Sequence, residues 1–240
     1  MSVNEHFESL SNTDMPSAAV MQHPVKAVLF DLDGTFADTA PDLAAALNHV
    51  RANLELSPLP LEILRPQASH GSRGLLKVGL DIEPQHPDYD TLRKQFLDYY
   101  ERNICVHTQL FEGMAQLLEE LEQHNILWGI ITNKPHRYTL PLMQAMGYAE
   151  RAACLISGDT CGHSKPHPDP MLKASEIINI PPAQCLYVGD DLRDMQAANA
   201  SGMHGIIANY GYVGPNATID NWNAKGSINN PAELIPYLNL

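Results

Sequence analysis

The sequence predicts an α/β protein in which a parallel sheet forms the core and a helical cap is inserted near its start. Short apolar runs alternate with amphipathic stretches that carry helix signals, which is the pattern of a parallel sheet covered by helices on both faces. One connection, residues 39–112, breaks this rhythm because it has helix patterns but no convincing strand. The predicted fold is therefore a Rossmann-like core with an insertion, which also suits a length of 240 residues.

The core elements follow one another along the chain. Apolar runs predict strands at residues 25–30, 127–132, 154–157, 185–188 and 204–208. Amphipathic stretches between most of them predict helices at residues 114–124, 136–146, 171–179 and 192–200. The carboxyl ends of parallel strands lie at one edge of a sheet, and such sheets bind their ligands there.

The insertion predicts the cap. Thr39, Pro41 and Asp42 suit a helix start, with a cap residue, an early proline and an acid at the capping-box position. A further helix is expected at residues 88–102, where apolar side chains recur on one face. An insertion after the first strand lies over the carboxyl ends of the strands, so it is placed as a lid on the ligand site.

The chain thus divides into three parts. Residues 1–24 are polar, lack periodicity and are interpreted as a mobile leader. Residues 25–38 and 113–240 are predicted to form the core domain, and residues 39–112 the cap domain.

The net charge excludes several classes of partner. Asp and Glu number 28 against 15 Lys and Arg, which gives a formal charge of −13. Such a protein repels phosphodiester backbones and anionic membranes, so neither nucleic acid nor a membrane is expected as a partner. No apolar run approaches the roughly 20 residues of a membrane helix, and residues 1–23 lack the features of a signal peptide. The four cysteines form no C-x-x-C pair, and a cytoplasmic location is expected.

Two carboxylates follow the first predicted strand, in the segment Asp31-Leu32-Asp33-Gly34-Thr35. Asp31 and Asp33 reach one site if the chain turns there, and Gly34 permits that turn. A carboxylate pair suits a hard cation such as Mg²⁺, and it also divides into a nucleophile and a proton shuttle. An isolated D-x-D is more often an acidic turn, so the ends of the other strands decide between the two interpretations.

Polar residues also follow three further strands. Thr132 and Asn133 precede a helix start, where a hydroxyl and free N–H groups make a phosphate-binding site. Lys165 lies in a proline-rich loop, and the next strand is followed by an acidic cluster that includes Asp190 and Asp194. A lysine in a loop is usually solvated, and an aspartate near a helix start is usually a cap. Four such groups in order, each at the end of a strand, are not expected by chance.

The four motifs DLDGT, TNK, SKP and GDDLRD resemble those of the haloacid dehalogenase-like (HAD) hydrolases, and the resemblance covers residues 25–240. It implies that Asp31 is a nucleophile that becomes an aspartyl-phosphate and that Asp33 is the general acid/base. It also implies that Thr132 and Lys165 bind the phosphoryl group, with the cap inserted between the first and second motifs. The expected enzyme is a phosphatase that acts on a small-molecule phosphate ester.

The same resemblance implies a Mg²⁺ cofactor. Asp31, Asp190 and the backbone carbonyl of Asp33 would be its ligands, and Asp194 would orient its water ligands. Elementary chemistry agrees, because phosphoryl transfer depends mainly on positioning and on charge stabilisation. A metal ion, a lysine and several N–H groups supply both.

The cap holds one candidate recognition segment, at residues 69–74. Its glycines allow the backbone to approach a ligand, and His70, Ser72 and Arg73 are the candidate substrate-binding residues. Arg73 could fork onto a carboxylate. An ordinary turn between helices, with a surface arginine, explains the same residues equally well.

The chain as a whole is similar to the phosphoglycolate-phosphatase-like group. Several stretches, such as LFEGM, LWG, TNKP and YGY, resemble more narrowly the branch that dephosphorylates N-acetylmuramic acid 6-phosphate in peptidoglycan recycling. That ester is therefore the expected substrate, and 2-phosphoglycolate is the alternative. Both carry a carboxylate in addition to the phosphate.

Other interpretations are kept as alternatives. A sugar phosphomutase shares every core motif, and a phospho-accepting signalling or regulatory domain also phosphorylates an aspartate. A structural zinc ion at Cys161, His163 and His167 is set aside, because their spacing is not that of a standard zinc finger and Lys165 lies among them. A monomer or a homodimer is expected.

Overall fold

The computed structural model of the chain describes residues 23–214 and 217–238. The predicted leader, residues 1–24, lies outside the described residues except for its last two. The strands of this part of the chain are β1 (Ala27–Phe30), β2 (Ala37–Asp38), β3 (Gln109–Leu110), β4 (Leu127–Ile131), β5 (Leu155–Ile156), β6 (Cys185–Gly189), β7 (His204–Ala208) and β8 (Gly226–Ile228).

Six of these strands form one sheet in the order β5-β4-β1-β6-β7-β8, and all of its neighbouring strands are parallel. β2 and β3 form a separate antiparallel pair. The predicted parallel sheet is therefore confirmed. β1 lies between β4 and β6, so the polar residues that follow these three strands meet at one edge of the sheet.

Three short strands, β2, β3 and β8, were missed by the sequence prediction. β3 lies in the segment for which no strand is predicted, and β8 extends the sheet beyond β7. These strands have two or three residues, too few for an alternating pattern to be visible. β3 forms because β2 offers its backbone groups, with Ala37 opposite Leu110 and Asp38 opposite Gln109.

The helices of the described residues are α1 (Ala40–Asn53), α2 (Leu61–Leu64), α3 (Gly71–Leu80), α4 (Tyr89–Arg102), α5 (Met114–Gln123), α6 (His136–Ala145), α7 (Asp169–Ile178) and α8 (Leu192–Ser201). The predicted helices of the core agree with α5 to α8 within two residues at each end. Within this part of the chain, no helix combines the length and the apolarity needed to cross a bilayer.

The sheet is buried on both faces because successive side chains of a strand point in opposite directions. Val28 and Phe30 pack in an apolar cluster with α5, whereas Ala27 and Leu29 pack in another with α7 and α8. This two-sided burial explains why the core strands have continuous apolar runs in the sequence and do not alternate.

The helices inserted after β1 have an apolar cluster of their own. Leu47 and Val50 of α1, Leu76 of α3, and Phe96 and Tyr100 of α4 are all buried in it. Two tyrosines of the core also join this cluster, so the cap packs against the core. The predicted fold class, a parallel sheet with a helical cap, is confirmed. The boundaries of the cap at residues 39 and 112 stay a prediction.

The start of α1 corrects the predicted capping box. Thr39 is the N-cap residue, but its hydroxyl makes no capping bond and donates instead to Asp33. The carboxylate of Asp42 is buried and accepts hydrogen bonds of 2.9–3.1 Å from the backbone N–H groups of residues 106–108. Asp42 therefore ties the first cap helix to the segment through which the chain returns to the core.

Replacement of Asp42 by alanine is expected to lower the free energy of unfolding by about 3 kcal/mol, because three N–H groups lose a charged acceptor. Unfolding in urea measures this change. Asp90→Ala is the matched control, since Asp90 also lies in the first turn of a cap helix but is exposed. Its loss is expected to stay below about 1 kcal/mol. Equal losses in the two variants would contradict the bracing role of Asp42.

Candidate active site

The four motifs meet in one cavity between the edge of the sheet and the cap. The cavity has a volume of about 460 Å³. Its core side is lined by Asp31, Asp33, Thr132, Asn133, Lys134, Lys165 and Asp194, and its cap side includes residues 68–73, Tyr89, Arg93 and Tyr100. Carboxyl ends of parallel strands are where such sheets bind ligands, and the cap closes that edge.

A buried ion pair lies at the centre of the site. The ammonium Nζ of Lys165 is 2.9 Å from Asp31 Oδ1 and 2.7 Å from Asp194 Oδ1. It also donates to the hydroxyl of Tyr187 at 2.7 Å. Burial opposes the charged form of Lys165, but the carboxylates of Asp194 and Asp31 outweigh it and raise the pKa of the ammonium. Lys165 is therefore positively charged at neutral pH.

Three buried carboxylates surround this single ammonium group, so the site carries an excess of acidic groups. Asp31, Asp190 and Asp194 are buried, and each places a carboxylate oxygen within 4.8 Å of the others. Burial raises the pKa of Asp31 to about 6, with Lys165 opposing the shift and Asp194 adding to it. Burial and the charge of Asp31 likewise raise the pKa of Asp190 well above its usual range.

This cluster fits the expected Mg²⁺ ion. Carboxylate oxygens are the ligands that hard divalent cations prefer, and a cation here would relieve the repulsion that raises both pKa values. Among the described residues, no donor makes a well-aligned hydrogen bond to Asp31 Oδ1, although Lys165 Nζ is 2.9 Å away, so this oxygen keeps a lone pair for a metal ion. The residues that could hold the ion are Asp31 and Asp190, with Asp194 beside them. The predicted contribution of the Asp33 carbonyl stays a prediction.

Asp194 is already engaged on both of its oxygens. Oδ1 contacts Lys165, and Oδ2 accepts the backbone N–H of Asp191 at 3.0 Å. Asp191 is the N-cap of α8, and its carboxylate accepts the N–H of Arg193. Asp191 therefore serves as a helix cap. The predicted role of Asp194, to orient the water ligands of the metal ion, stays a prediction.

The turn after β1 requires glycine at position 34. The φ of Gly34 is +88°, in the region that favours glycine, and a Cβ there would overlap the carboxylate of Asp190. The next residue, Thr35, donates its hydroxyl to Asp190 Oδ1 at 2.8 Å. The loop that carries Asp31 and Asp33 is thereby packed directly against the end of β6.

Asp33 has a partner that the sequence prediction missed. The ammonium of Lys134 is 2.7 Å from Asp33 Oδ1, which also accepts the Thr39 hydroxyl at 2.5 Å. Lys134 is buried, and its Nζ lies 5.0 Å from the ring centroid of Tyr100, in cap helix α4. Burial opposes its charge, but Asp33 and Tyr100 outweigh burial and raise the pKa of Lys134. The sequence shows only that a lysine directly follows Thr132-Asn133. A lysine at that position is equally compatible with a solvated side chain, so its contact with Asp33 could not be predicted.

Residues of the TNK motif hold the loop of the SKP motif in place. The hydroxyl of Thr132 is in the cavity wall and accepts the N–H of Lys134 at 3.1 Å. The side-chain amide of Asn133 bonds both the N–H and the carbonyl of Lys165, each at 2.9 Å. The side chain of Asn133 therefore braces the loop of Lys165, while the prediction that Asn133 belongs to the phosphate-binding site stays a prediction.

The cap segment at residues 69–73 lies over the acidic cluster. His70, Ser72 and Arg73 all line the cavity, and their binding of substrate stays a prediction. The hydroxyl of Ser69 donates to Asp190 Oδ2 at 3.0 Å, and the carbonyl of Ser69 accepts from Arg193 at 3.1 Å. The segment joins a 3₁₀ turn to α3 and is held against the core.

Arg93, on α4, is a cavity residue that the sequence prediction missed. It lines the same cavity as Arg73. Both arginines are exposed, and neither has an ion-pair partner among residues 23–214 and 217–238. The apolar spacing of α4 predicts its buried face, but nothing in that pattern shows which exposed cation faces the cavity.

The sequence pattern of the family described as "Haloacid dehalogenase-like hydrolase" matches residues 28–208. The chain belongs to this family. Among curated relatives, it is 41% identical to an N-acetylmuramic acid 6-phosphate phosphatase of Pseudomonas putida, with 88% of the chain and 94% of the relative covered. It is 40% identical to a phosphoglycolate phosphatase of Xanthomonas campestris, with 87% and 94% covered.

Solved structures of HAD proteins share the fold. The crystal structure of a predicted phosphoglycolate phosphatase from Haemophilus somnus 129pt superposes with a TM-score of 0.78 at 25% identity, and covers 90% of the chain and 98% of its own. That of a phosphoglycolate phosphatase homologue from Lactobacillus delbrueckii gives a TM-score of 0.79 at 21% identity, with 90% and 99% covered. The predicted enzyme class is confirmed: the protein is a HAD-family phosphatase.

Asp31→Asn is expected to remove a pH-dependent loss of stability from the metal-free protein. The pKa of Asp31 is about 6 in the folded state against 3.8 for an ordinary aspartate. The folded wild type therefore holds this proton more tightly, and its stability falls as the pH rises from about 4 to about 6, by about 3 kcal/mol. Urea unfolding in EDTA across this range measures the difference between wild type and variant.

The variant is expected to gain stability relative to wild type up to about pH 6 and to keep that gain above it. Addition of Mg²⁺ at neutral pH is expected to stabilise the wild type more than the variant, because the ion binds the folded carboxylate cluster. A Mg²⁺ effect of equal size in the two proteins would show that Asp31 is not a ligand.

Proposed function

We propose that the protein is a Mg²⁺-dependent phosphomonoesterase that acts through an aspartyl-phosphate on N-acetylmuramic acid 6-phosphate. One observation carries the proposal: the Asp31 carboxylate and the charged Lys165 lie on the floor of a cavity whose cap side presents two arginines that form no ion pair with any described residue. The identity to curated relatives with this activity supports the choice of substrate. The reaction would serve peptidoglycan recycling in the cytoplasm.

The residues divide the reaction between them. Asp31 attacks the phosphorus atom, and the bond to the leaving oxygen breaks as the acyl-phosphate forms. Asp33, protonated, gives its proton to the leaving alkoxide and then takes a proton from the water that hydrolyses the acyl-phosphate. Lys165 and Thr132 hold the phosphoryl oxygens. When bound at the carboxylate cluster, Mg²⁺ supplies positive charge that offsets the negative charge of the phosphoryl group.

Lys134 and Thr39 position Asp33 for this work. Both contact Oδ1 of Asp33, so its other oxygen, Oδ2, is left for proton transfer. The ammonium of Lys134 also touches the cap through Tyr100. Lys134 is therefore a positioning residue that links the general acid to the part of the protein that covers the substrate.

The size and charge of the cavity favour the sugar ester. N-acetylmuramic acid 6-phosphate has about 24 non-hydrogen atoms and 2-phosphoglycolate about nine, and ligand cavities of about 300–1,000 Å³ hold the larger kind of molecule. The cavity volume of about 460 Å³ lies in that range. Arg73 and Arg93 are the groups suited to the lactyl carboxylate, since guanidinium binds carboxylate in a two-pronged manner.

Phosphoglycolate phosphatase is the second candidate, because relatives of that name are up to 40% identical to the chain. A phosphomutase and a phospho-accepting signalling domain were also compatible with the motifs. They are set aside because the chain is a HAD phosphatase. The ratio of kcat/KM for the two esters decides between the candidates, and a clear preference for 2-phosphoglycolate would overturn the sugar assignment.

Loss of either D-x-D carboxylate is expected to stop turnover. Asp31→Asn removes the nucleophile and is expected to abolish activity, and Asp33→Asn is expected to lower kcat by about 10²–10⁴-fold. Asp220→Asn, at an exposed aspartate away from the cavity, is the control and is expected to match wild type. Phosphate release in Mg²⁺ measures all three. Sustained activity of Asp31→Asn, or of wild type in EDTA, would refute the mechanism.

Substitution of the cap arginines is expected to weaken recognition of the carboxylate. Arg73→Ala and Arg93→Ala are each expected to lower kcat/KM for N-acetylmuramic acid 6-phosphate by about 10–100-fold. N-acetylglucosamine 6-phosphate lacks the lactyl carboxylate, so its lower kcat/KM is expected to change little. Arg102→Ala, on the same helix but outside the cavity, is the control. Equal losses with both sugars would show that the arginines do not bind the carboxylate.

A further inference from the structure

A second group of metal-ligating side chains lies outside the cavity, in the loop between β5 and α7. His163, His167 and Asp169 each offer one ligand atom, and the three atoms lie within 4.8 Å of one another. The chemistry of the active site uses none of these residues. The sequence suggested Cys161 with the two histidines, but the structure assigns Asp169 as the third donor. Asp169 is the first residue of α7, directly after this loop.

Both imidazoles contact the carboxylate of Asp169. Nδ1 of His163 is 2.8 Å from Asp169 Oδ2, and Nδ1 of His167 is 3.0 Å from Asp169 Oδ1. The two imidazole rings are stacked with their centroids 4.3 Å apart. Ligand bonds of about 2.0–2.2 Å place neighbouring donor atoms roughly 3 Å apart, so one ion fits among these atoms with small side-chain shifts.

The loop holds the donors in place before any ion binds. Pro166, Pro168 and Pro170 alternate with the ligand residues and fix the backbone φ angles. The side chain of Asn133 bonds the backbone of Lys165 on both sides. Because the loop is restrained, little conformational entropy remains to be lost when the three side chains converge on an ion.

The donor set selects a different metal from the active site. Two imidazoles and one carboxylate suit zinc and its neighbours in the first transition row, whereas Mg²⁺ prefers oxygen ligands alone. Hydrogen bonding to His163 and the nearby imidazole of His167 lower the pKa of Asp169, which is thus ionised at neutral pH. The side chains are 37–64% exposed, which leaves an entry path and room for water ligands.

We propose that His163, His167 and Asp169 bind a first-row transition-metal ion of the zinc type, at a site separate from the Mg²⁺ cluster. The ion would join residues on both sides of Lys165. It would therefore restrain the segment that presents this lysine to the phosphoryl group, without touching the reacting atoms.

Zinc titration of the tag-free protein in excess Mg²⁺ tests the proposal. Isothermal titration calorimetry is expected to show one Zn²⁺ ion bound per chain, and binding is expected to weaken at least tenfold in His163→Ala and in His167→Ala. His124→Ala is the matched control, because His124 is also exposed and lies 3.8 Å from a glutamate. Asp31→Asn is expected to keep the Zn²⁺ site, which separates it from the acidic cluster of the active site.

Electron paramagnetic resonance with Cu²⁺ in place of Zn²⁺ identifies the ligands. The spectrum of wild type is expected to show nitrogen hyperfine coupling from two imidazoles. The spectrum of each single histidine variant is expected to show coupling from one imidazole. Zn²⁺ binding that is unchanged in the double variant, or a Cu²⁺ spectrum without imidazole nitrogen, would overturn the proposal. In that case the two histidines only brace the start of α7 through Asp169. The substituted histidines are exposed, so their variants are expected to fold, and circular dichroism checks the fold of every variant, including Asp31→Asn at a buried position.

Discussion

The buried ammonium of Lys165 is the interaction on which the rest of the site depends. Removing a charge from water costs free energy unless the charge is paired. The buried ammonium of Lys165 and the buried carboxylates of Asp31 and Asp194 therefore depend on one another for charge pairing. Three carboxylates against one ammonium leave a negative excess, and the raised pKa values of Asp31 and Asp190 follow from burial together with this excess. The same imbalance makes the site receptive to a divalent cation.

The fold could be predicted from the sequence because its strands are long enough to show a pattern. Continuous apolar runs mark strands that are buried on both faces, and the chemistry at their ends marks the common edge of the sheet. β3 and β8 could not be predicted, since two or three residues carry no periodicity and their pairing depends on partners distant in sequence. The same holds for Lys134 and Arg93, whose positions are set by tertiary packing alone.

Local sequence rules fail where a side chain finds a better partner elsewhere. Thr39 and Asp42 satisfy the pattern of a capping box, yet Thr39 bonds Asp33 and Asp42 bonds the returning segment. The side-chain amide of Asn133 likewise bonds the backbone of Lys165, which is distant in sequence. In each case a tertiary contact near the active site replaces a local one, and such exceptions are expected at functional sites.

The ribbon of β2 and β3 has a consequence for how this protein could diversify. The chain leaves the core at Ala37–Asp38 and returns at Gln109–Leu110, and the two strands pair side by side. Because the chain leaves and re-enters the core at neighbouring positions, the length of the segment between β2 and β3 does not affect the order of strands in the sheet. Selection could lengthen, shorten or exchange that segment, and so change which ester is admitted, while the phosphorus chemistry beneath is inherited intact.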